Sequence, residues 1–223
     1  IRSPFIHVPI AHNFINLDHA KRSITELGNE IKTKGIRKDA HPLVFTFTGK
    51  GNVFQGAQEI FKLLPHEWIE AKDLKDLLKL DLKRDRIYGC SVAPKDYIRP
   101  KFDSDEFDYQ KYLSNPEIFE SHFHETIAPY STAIINGVYW EPKYPRLLTK
   151  EQMKQIQFNG QSRLLTIADI SCDIEGSIEF TNKASTIDKP FYYYDAINDS
   201  YETDSGVQIM SIDNLPTELP EDS

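Results

Sequence analysis

The residues of this chain most suited to chemistry are glycines that follow an apolar run. Residues 43–48 are apolar or β-branched, and Gly49, Gly51 and Gly56 come directly after them. This pattern predicts a strand, a glycine turn and a helix that begins near Asn52. Gly49 permits a sharp turn, Gly51 permits close backbone approach, and a helix N-terminus directs unpaired N–H groups toward an anion. The order therefore favours a dinucleotide pyrophosphate site.

Other phosphate-binding folds fit this loop less well. The third glycine, Gly56, comes two residues later than in the dinucleotide fingerprint, and Phe54 takes its usual position. A nucleoside-triphosphate loop would need a lysine and a hydroxyl residue after Gly56, where the chain has Ala57 and Gln58. A methyltransferase of the nucleotide-binding type would place an acid before its first glycine, but Thr48 stands there. The methyltransferase alternative is weakened and stays open.

An acidic residue follows the second predicted strand, residues 66–69. Glu70 lies roughly 20 residues beyond Gly51, the spacing at which the fingerprint expects an acid that binds the adenosine ribose. Such a carboxylate accepts hydrogen bonds from the 2′-OH and repels a 2′-phosphate, so Glu70 favours NAD over NADP. The alternative is an exposed strand end whose charge is offset by Lys72.

Composition excludes several classes of protein. The chain has 223 residues and a net charge of −8, with no basic stripe that would neutralise a nucleic-acid backbone. Its only cysteines, Cys90 and Cys172, are far apart, which argues against a disulfide framework or a zinc knuckle. No apolar run approaches the length of a membrane span. We therefore expect neither nucleic acid nor membrane as a partner.

The pattern along the chain predicts a principal domain with attachments. The chain starts at Ile1 without a methionine, and residues 5–10 are largely apolar, which suggests a fragment entered from an upstream domain. We predict an entry segment and linking helix over 1–35, a dinucleotide-binding domain over 36–214 and an acidic, proline-containing linker over 215–223.

Strand and helix patterns alternate after residue 40. Helices are predicted at 16–34, 52–64, 73–80, 116–124 and 149–157, and strands at 43–48, 66–69, 87–92, 132–137 and 164–170. Residues 94–115 indicate an irregular insertion, and the aromatic-rich residues 177–213 indicate a strand-rich extension beside the sheet. The predicted fold class is α/β, a Rossmann-type doubly wound parallel sheet with its ligand crevice at the carboxyl ends of the strands.

Two further strand ends carry candidate site residues. Asn136 and Gly137 follow one apolar strand, and Asp169 follows another. In a dehydrogenase these loops would flank the nicotinamide ring and the substrate, although each is also a common turn or cap. His122 and His124 are two apart on a predicted helix and so form a poor metal pair. No metal site and no clear acid/base pair is predicted.

Several separated motifs resemble one family. They are Pro4-Phe5-Ile6-His7 with Ala11-His12-Asn13, the loop from Phe47 to Gln58, Ile127-Ala128-Pro129-Tyr130, Ile135-Asn136-Gly137-Val138-Tyr139-Trp140, Pro145-Arg146-Leu147-Leu148-Thr149, Asp169-Ile170-Ser171-Cys172-Asp173, Gly176-Ser177-Ile178-Glu179-Phe180 and Ser211-Ile212-Asp213-Asn214-Leu215-Pro216. In this order they resemble the lysine-ketoglutarate reductase half of the bifunctional α-aminoadipic semialdehyde synthases. The cofactor domain of that family resembles those of alanine dehydrogenase and transhydrogenase.

The resemblance implies an oxidoreductase of lysine degradation. Such a reductase condenses L-lysine with 2-oxoglutarate and reduces the imine with NADPH to give saccharopine. The acid/base residues would lie in an upstream substrate domain, a saccharopine dehydrogenase half would follow, and the location would be the mitochondrion. A cytoplasmic location and a homo-oligomer stay open, as does a non-catalytic regulatory module that binds a dinucleotide.

The resemblance also assigns site residues. Gly49, Lys50, Gly51, Asn52 and Val53 would hold the pyrophosphate. The nicotinamide ribose would lie near Asn136 and Gly137, and Asp169 would face the substrate side of the ring. NADP(H) is the cofactor that the family implies, and NAD is kept as the alternative because of Glu70.

Overall fold

Strands and helices alternate along the residues that the structure describes. The structure is a computed structural model, which describes residues 3–102, 106–160, 162–201, 203–215 and 219. The strands are β1 (Val44–Thr48), β2 (His66–Trp68), β3 (Ile87–Val92), β4 (Ile98–Pro100), β5 (Phe119–Ser121), β6 (Ala133–Asn136), β7 (Thr166–Asp169), β8 (Tyr192–Tyr194) and β9 (Val207–Met210). The α-helices are α1 (Leu17–Lys34), α2 (Asn52–Phe61), α3 (Pro94–Tyr97), α4 (Tyr109–Ser114), α5 (Phe123–Thr126) and α6 (Lys150–Phe158). Short 3₁₀ helices cover Pro4–His7, Ala11–Asn13, Ala71–Lys79, Pro116–Ile118 and Ala128–Tyr130.

Seven of these strands form one sheet in the order β2-β3-β1-β6-β7-β9-β8. Each neighbouring pair is parallel except β8 with β9, which is antiparallel. The predicted α/β, doubly wound class is confirmed. The predicted strand-rich extension is confirmed by β8 and β9, but it joins the sheet instead of packing beside it, because β9 pairs with β7. Val207 and Ile209 of β9 are buried and alternate with partly exposed residues, as in a strand that joins a core.

The order on one side of the sheet departs from sequence order. β3 pairs with both β1 and β2, so it separates the first strand from the second. The chain therefore crosses from β1 to the edge strand β2 and returns to fill the gap between them. Nothing local in the sequence distinguishes this order from one in which β2 pairs with β1.

Each face of the sheet covers its own hydrophobic core. Side chains alternate along β1, so that Val44 lies in one core and Phe47 in the other. The core containing Phe47 is closed by α1 and α2, through residues such as Ile31 and Phe61. The other core includes Phe123 and Met153 of α5 and α6. This arrangement of a sheet between two layers is what makes the fold doubly wound.

The long helix α1 confirms the predicted helix at 16–34 almost to the residue. The Asn16 side chain caps its start by accepting a hydrogen bond from the His19 N–H at 3.0 Å. Gly35 ends it with a positive φ of 71°. A Cβ on Gly28 would lie 3.0 Å from the carbonyl oxygen of Leu63, so the helix approaches the segment after α2 closely.

The insertion between β3 and β6 is more regular than predicted. Residues 94–115 contain α3, β4 and α4, and residues 116–124 are not the predicted helix but a 3₁₀ turn, β5 and the start of α5. β4 pairs with β5 in an antiparallel ribbon. Phe119 and Ser121 are buried while Glu120 between them is partly exposed. That period of two belongs to a strand and overrides the weak helical signal of the segment.

The structure describes only two residues of the predicted acidic linker. Within 215–223, Leu215 and Leu219 are described, and the other residues lie outside the described part of the chain. The division of the chain at 35 and 214 stays a prediction.

Phe54 explains why the third glycine departs from the fingerprint. In the usual pattern the third glycine brings the helix close to the strand. Here the Phe54 ring packs against Phe47 of β1 with ring centroids 5.9 Å apart, so a side chain fills the space between helix and strand. The displaced Gly56 has nothing within 4 Å of the position of a Cβ. It is therefore not needed for packing.

Replacing Gly56 with alanine is expected to stabilise the chain. Gly56 lies inside α2, where glycine costs roughly 0.5–1 kcal/mol relative to alanine because it loses more backbone entropy on folding. The free energy of unfolding, measured by urea denaturation, should rise by about that amount. A decrease would mean that the residue makes a close contact in solution.

Candidate functional site

The carboxyl ends of four strands lie side by side at one edge of the sheet. The register pairs Thr48 with Val92 on one side and with Asn136 on the other, and Asn136 in turn pairs with Asp169. After β1 the chain first forms β2 and β3 on one side of β1, and it later forms β6 on the other side. The ends of β1 and β6 therefore flank a topological switch point, where open α/β sheets bind their ligands.

A cavity of about 770 Å³ opens at these strand ends. Its volume lies within the range typical of small-molecule sites. The loops after β1, β3 and β6 and the aromatic insertion contribute its walls, which consist of Gly49, Lys50, Gly51, Ala93, Pro94, Lys95, Tyr97, Phe107, Tyr109, Tyr112, Leu113, Gly137, Val138, Tyr139 and Tyr144. Four residues predicted for cofactor binding, Gly49, Lys50, Gly51 and Gly137, are thus brought together.

The glycine loop has the geometry of an anion cradle. Gly49 has a φ of +82°, and a Cβ there would lie 3.0 Å from the carbonyl oxygen of Gly137. Gly51 precedes the first turn of α2, makes no side-chain cap, and has only open space where a Cβ would be. The first N–H groups of a helix have no intrahelical partner. They remain for a ligand at the mouth of this cavity.

These residues fit the pyrophosphate of a dinucleotide. The loop supplies a helix N-terminus that has no side-chain cap and the positive charge of Lys50. It also leaves open the space that a side chain at Gly51 would fill. Val53 of α2 lies against the loop after β6. The Cγ1 atom of Val53 is only 2.8 Å from the point where a Cβ on Gly137 would be. The two glycine-containing loops that the sequence singled out are therefore in direct contact.

Beneath the cavity, a buried polar network joins the ends of β1, β6 and β7. The Thr48 hydroxyl donates to Asn136 Oδ1 at 2.8 Å, and Asn136 Nδ2 donates to Asp169 Oδ1 at 2.9 Å and to Ser177 Oγ at 2.8 Å. The hydroxyl of Thr181 donates to Asp169 Oδ2 at 2.6 Å. Thr48 also accepts from the Gly137 N–H at 3.2 Å. The network therefore fixes the backbone of the loop after β6.

Asn136 and Asp169 are both completely buried, and neither lines the cavity. Burial raises the pKa of Asp169 above its ordinary value, and the hydrogen bonds from Thr181, Ser171 and Asn136 oppose that rise. Sequence reasoning identified both residues but expected direct contact with the cofactor or the substrate. Their geometry is that of positioning residues. Sequence reasoning gave the hydroxyl partners no role. Thr48 and Ser171 had one available signal, namely their place at or just after the end of an apolar strand, whereas Ser177 and Thr181 lie farther along the chain.

Arg146 holds the loops after β6 and β7 together. Its guanidinium donates to the carbonyl oxygens of Gly176 at 3.0 Å and Glu175 at 2.8 Å. It also pairs with Glu179 and stacks over the ring of Trp140, 5.2 Å from the ring centroid. Beyond the motif in which Arg146 lies, nothing in the sequence indicates this role.

Glu70 lies away from this cavity. It is an exposed residue that follows β2, and β2 is separated from β1 by β3. The end of its strand is thus about 10 Å, or two strand spacings, from the end of β1. Glu70 is not among the cavity walls.

Neither a metal cluster nor a membrane-spanning helix is found in the described part of the chain. No group of three or more His, Cys, Asp or Glu residues there could hold a metal ion. His122 precedes α5 and His124 lies within it. No helix among the described residues is both long and apolar enough to cross a membrane.

Comparison with known proteins shows what the chain is similar to. The chain is 39% identical over 234 residues to the alpha-aminoadipic semialdehyde synthase of Arabidopsis thaliana, which covers 99% of the chain and 22% of that protein. It is 41% identical over 241 residues to the mitochondrial alpha-aminoadipic semialdehyde synthase of Bos taurus, covering 99% of the chain and 25% of the relative. The chain is homologous to a part of the alpha-aminoadipic semialdehyde synthases. The resemblance inferred from the motifs is confirmed.

The homology to the semialdehyde synthases extends over nearly the whole chain but over a small part of each relative. The mitochondrial synthase of Rattus norvegicus is 40% identical over 98% of the chain, which again spans 25% of that protein. The chain thus spans about a quarter of the length of the curated synthases it matches. No protein-family model matches the sequence.

Proposed function

We propose that this chain is the nucleotide-binding domain of a lysine-ketoglutarate reductase. Such an enzyme reduces the imine of L-lysine and 2-oxoglutarate with NADPH and so forms saccharopine. One observation carries the proposal: the cradle of Gly49 and Gly51 opens into a cavity at the switch point of the sheet. The chain that forms this sheet is homologous to part of the synthases. The hydride that reduces the imine carbon would come from the nicotinamide ring of bound NADPH.

The loop after β1 would bind the pyrophosphate. In this proposal the backbone of Gly49 and Gly51 and the N–H groups of Asn52 and Val53 donate hydrogen bonds to the phosphate oxygens. Lys50 adds a positive charge beside them. The absence of a side-chain cap on α2 and the open space above Gly51 support this assignment.

The loop after β6 would orient the nicotinamide ribose. Gly137 and Val138 line the cavity, and Asn136 holds them from below through its bonds to Thr48 and Asp169. We therefore assign direct contact to Gly137, and positioning roles to Asn136 and Asp169.

The proton-transfer residues are proposed to come from another part of the enzyme. Among the described residues, no histidine and no carboxylate lines the cavity. We propose that an upstream substrate domain, entered through residues 1–35, supplies them and binds lysine and 2-oxoglutarate. A saccharopine dehydrogenase half would follow the linker at 215–223. The mammalian relatives are named mitochondrial, which favours the same location for this chain. We also propose that the enzyme forms a homo-oligomer.

Titration with NADPH and NADH tests the proposal. Quenching of intrinsic fluorescence should show saturable binding of NADPH, because Trp140 directly follows Tyr139, which lines the cavity. Calorimetry gives an independent measurement. A lack of binding by either dinucleotide at millimolar concentration would contradict the proposal.

A non-catalytic dinucleotide-binding module is the alternative, and it is favoured by the lack of an acid or base in the described cavity walls. The reductase proposal expects lysine- and 2-oxoglutarate-dependent NADPH oxidation when the upstream domain is present in the same chain. Binding of NADPH without any such turnover would favour the regulatory module.

A further inference from the structure

We infer that Lys95, after β3, binds the 2′-phosphate of NADP(H) and sets the choice between the two dinucleotides. The inference rests on the proposed function, since it concerns the same cavity. It starts from the strand order. In the dinucleotide fold the ribose of the adenosine half is bound at the end of the strand beside the first one. Here that strand is β3 and not β2.

The end of β3 lies beside the glycine loop. Val92, the last residue of β3, is in register with Thr48, which directly precedes Gly49. The next residues, Ala93, Pro94 and Lys95, line the same cavity as Gly49, Lys50 and Gly51. The first charged residue after this strand end is thus a lysine, whereas Glu70 follows a strand farther out.

The charges around the cavity favour an additional phosphate. Although the chain carries a net charge of −8, its described cavity walls contain two lysines, Lys50 and Lys95, and no carboxylate. Lys95 is exposed, and no described acidic side chain forms an ion pair with it. A 2′-phosphate would give Lys95 a charged partner.

The one acid next to Lys95 is already engaged. Asp96 accepts a hydrogen bond from the Ala93 N–H through its Oδ2 atom at 2.8 Å, and so caps the short helix α3. Asp96 does not line the cavity. It is therefore not positioned to accept hydrogen bonds from a ribose 2′-OH, as the acid of an NAD-binding protein does.

Binding measurements on Lys95→Ala test this inference. Dissociation constants for NADPH, NADH, adenosine 2′,5′-bisphosphate and AMP would be measured by calorimetry at fixed ionic strength. A charge-assisted hydrogen bond is worth about 1.5–3 kcal/mol, so NADPH and the bisphosphate should bind about 10- to 100-fold more weakly. NADH and AMP should change less than about twofold, because their 2′-OH makes no ion pair. Lys95→Arg should retain the preference for the 2′-phosphate.

Two control variants distinguish Lys95 from the charged residues after β2. Lys72→Ala removes an exposed lysine that does not line the cavity, and it should alter no dissociation constant. Glu70→Ala should also leave the ratio of NADPH to NADH binding unchanged. An altered ratio in Glu70→Ala, with none in Lys95→Ala, would overturn the inference in favour of Glu70.

The anion that Lys95 binds could instead be a carboxylate of the substrate, since 2-oxoglutarate carries two carboxylates. Titration of the same variants with 2-oxoglutarate in the presence of NADH distinguishes these sources. If Lys95→Ala weakens 2-oxoglutarate binding and leaves the bisphosphate unaffected, Lys95 belongs to the substrate site and the inference fails. Equal weakening of NADPH and NADH would also overturn it. Failure of the wild-type chain to bind any dinucleotide would count against the proposed function itself.

Discussion

Replacing Gly51 with valine is expected to abolish dinucleotide binding while the chain stays folded. The space where a Cβ on Gly51 would lie is open, and the residue has an ordinary negative φ of −81°. A side chain is therefore tolerated by the protein itself. It would occupy the position that the pyrophosphate needs against the first turn of α2. We expect the affinity for NADPH to fall by at least about 100-fold, or about 2.7 kcal/mol.

The matching measurement is a titration of Gly51→Val alongside a thermal or urea unfolding curve. Valine is a poorer N-cap than glycine, so a loss of about 1 kcal/mol in stability is expected and does not unfold the chain. Gly56→Ala is the control, since it also adds a side chain in open space on α2 but lies a full turn beyond the loop. Unchanged NADPH affinity in Gly51→Val would exclude this loop as the pyrophosphate site.

Local patterns predicted most elements around the site. Strand β3 and helix α6 follow their predicted bounds closely, because β3 is a short run that is buried almost throughout and α6 begins with a capping box formed by Thr149 and Gln152. The glycine loop was also predictable, since a strand pattern that breaks into glycines before a helix pattern indicates a turn, and Gly49 has the positive φ that glycine permits.

Features that depend on distant contacts were not predictable in the same way. The insertion of β3 between β1 and β2 rests on pairing between residues more than 40 apart, such as Val44 with Tyr88. The ribbon of β4 and β5 depends likewise on pairing between Ile98 and Ser121. A single sequence gives the strands but not their neighbours. For this reason the spacing rule selected Glu70, whereas the neighbouring strand end carries Lys95.

The network below the cavity predicts a large effect on stability. Asp169→Ala removes the acceptor of three buried or half-buried donors, the side chains of Asn136, Ser171 and Thr181. Each donor left unsatisfied costs on the order of 1–3 kcal/mol, but hydroxyl groups can rotate toward other acceptors. We expect a net loss of about 2–4 kcal/mol in the free energy of unfolding, measured by urea denaturation.

Asp169→Asn separates the charge of the carboxylate from its hydrogen bonds. The amide keeps one acceptor oxygen for Asn136, and the Thr181 hydroxyl can rotate to accept from the new NH₂ group. The loss of stability should therefore be smaller than in Asp169→Ala. Equal losses in the two variants would mean that the hydrogen bonds contribute little and that the volume of the side chain matters instead.

The same pair of proteins gives a pH dependence of known sign. Burial raises the pKa of Asp169 above its ordinary 3.8, so the folded chain binds this proton more tightly than the unfolded chain does. The contribution of Asp169 to stability is consequently largest below pH 3.8 and decreases as the pH rises through the folded pKa. Asp169→Asn lacks this titration, whereas other carboxylates, such as Glu30 and Glu59, titrate equally in both proteins. The wild type should therefore lose stability relative to Asp169→Asn between acidic and neutral pH.

A difference that grows in the opposite direction would show that the hydrogen bonds from Thr181, Ser171 and Asn136 outweigh burial. In that case the ionised carboxylate would be the favoured form beneath the cavity.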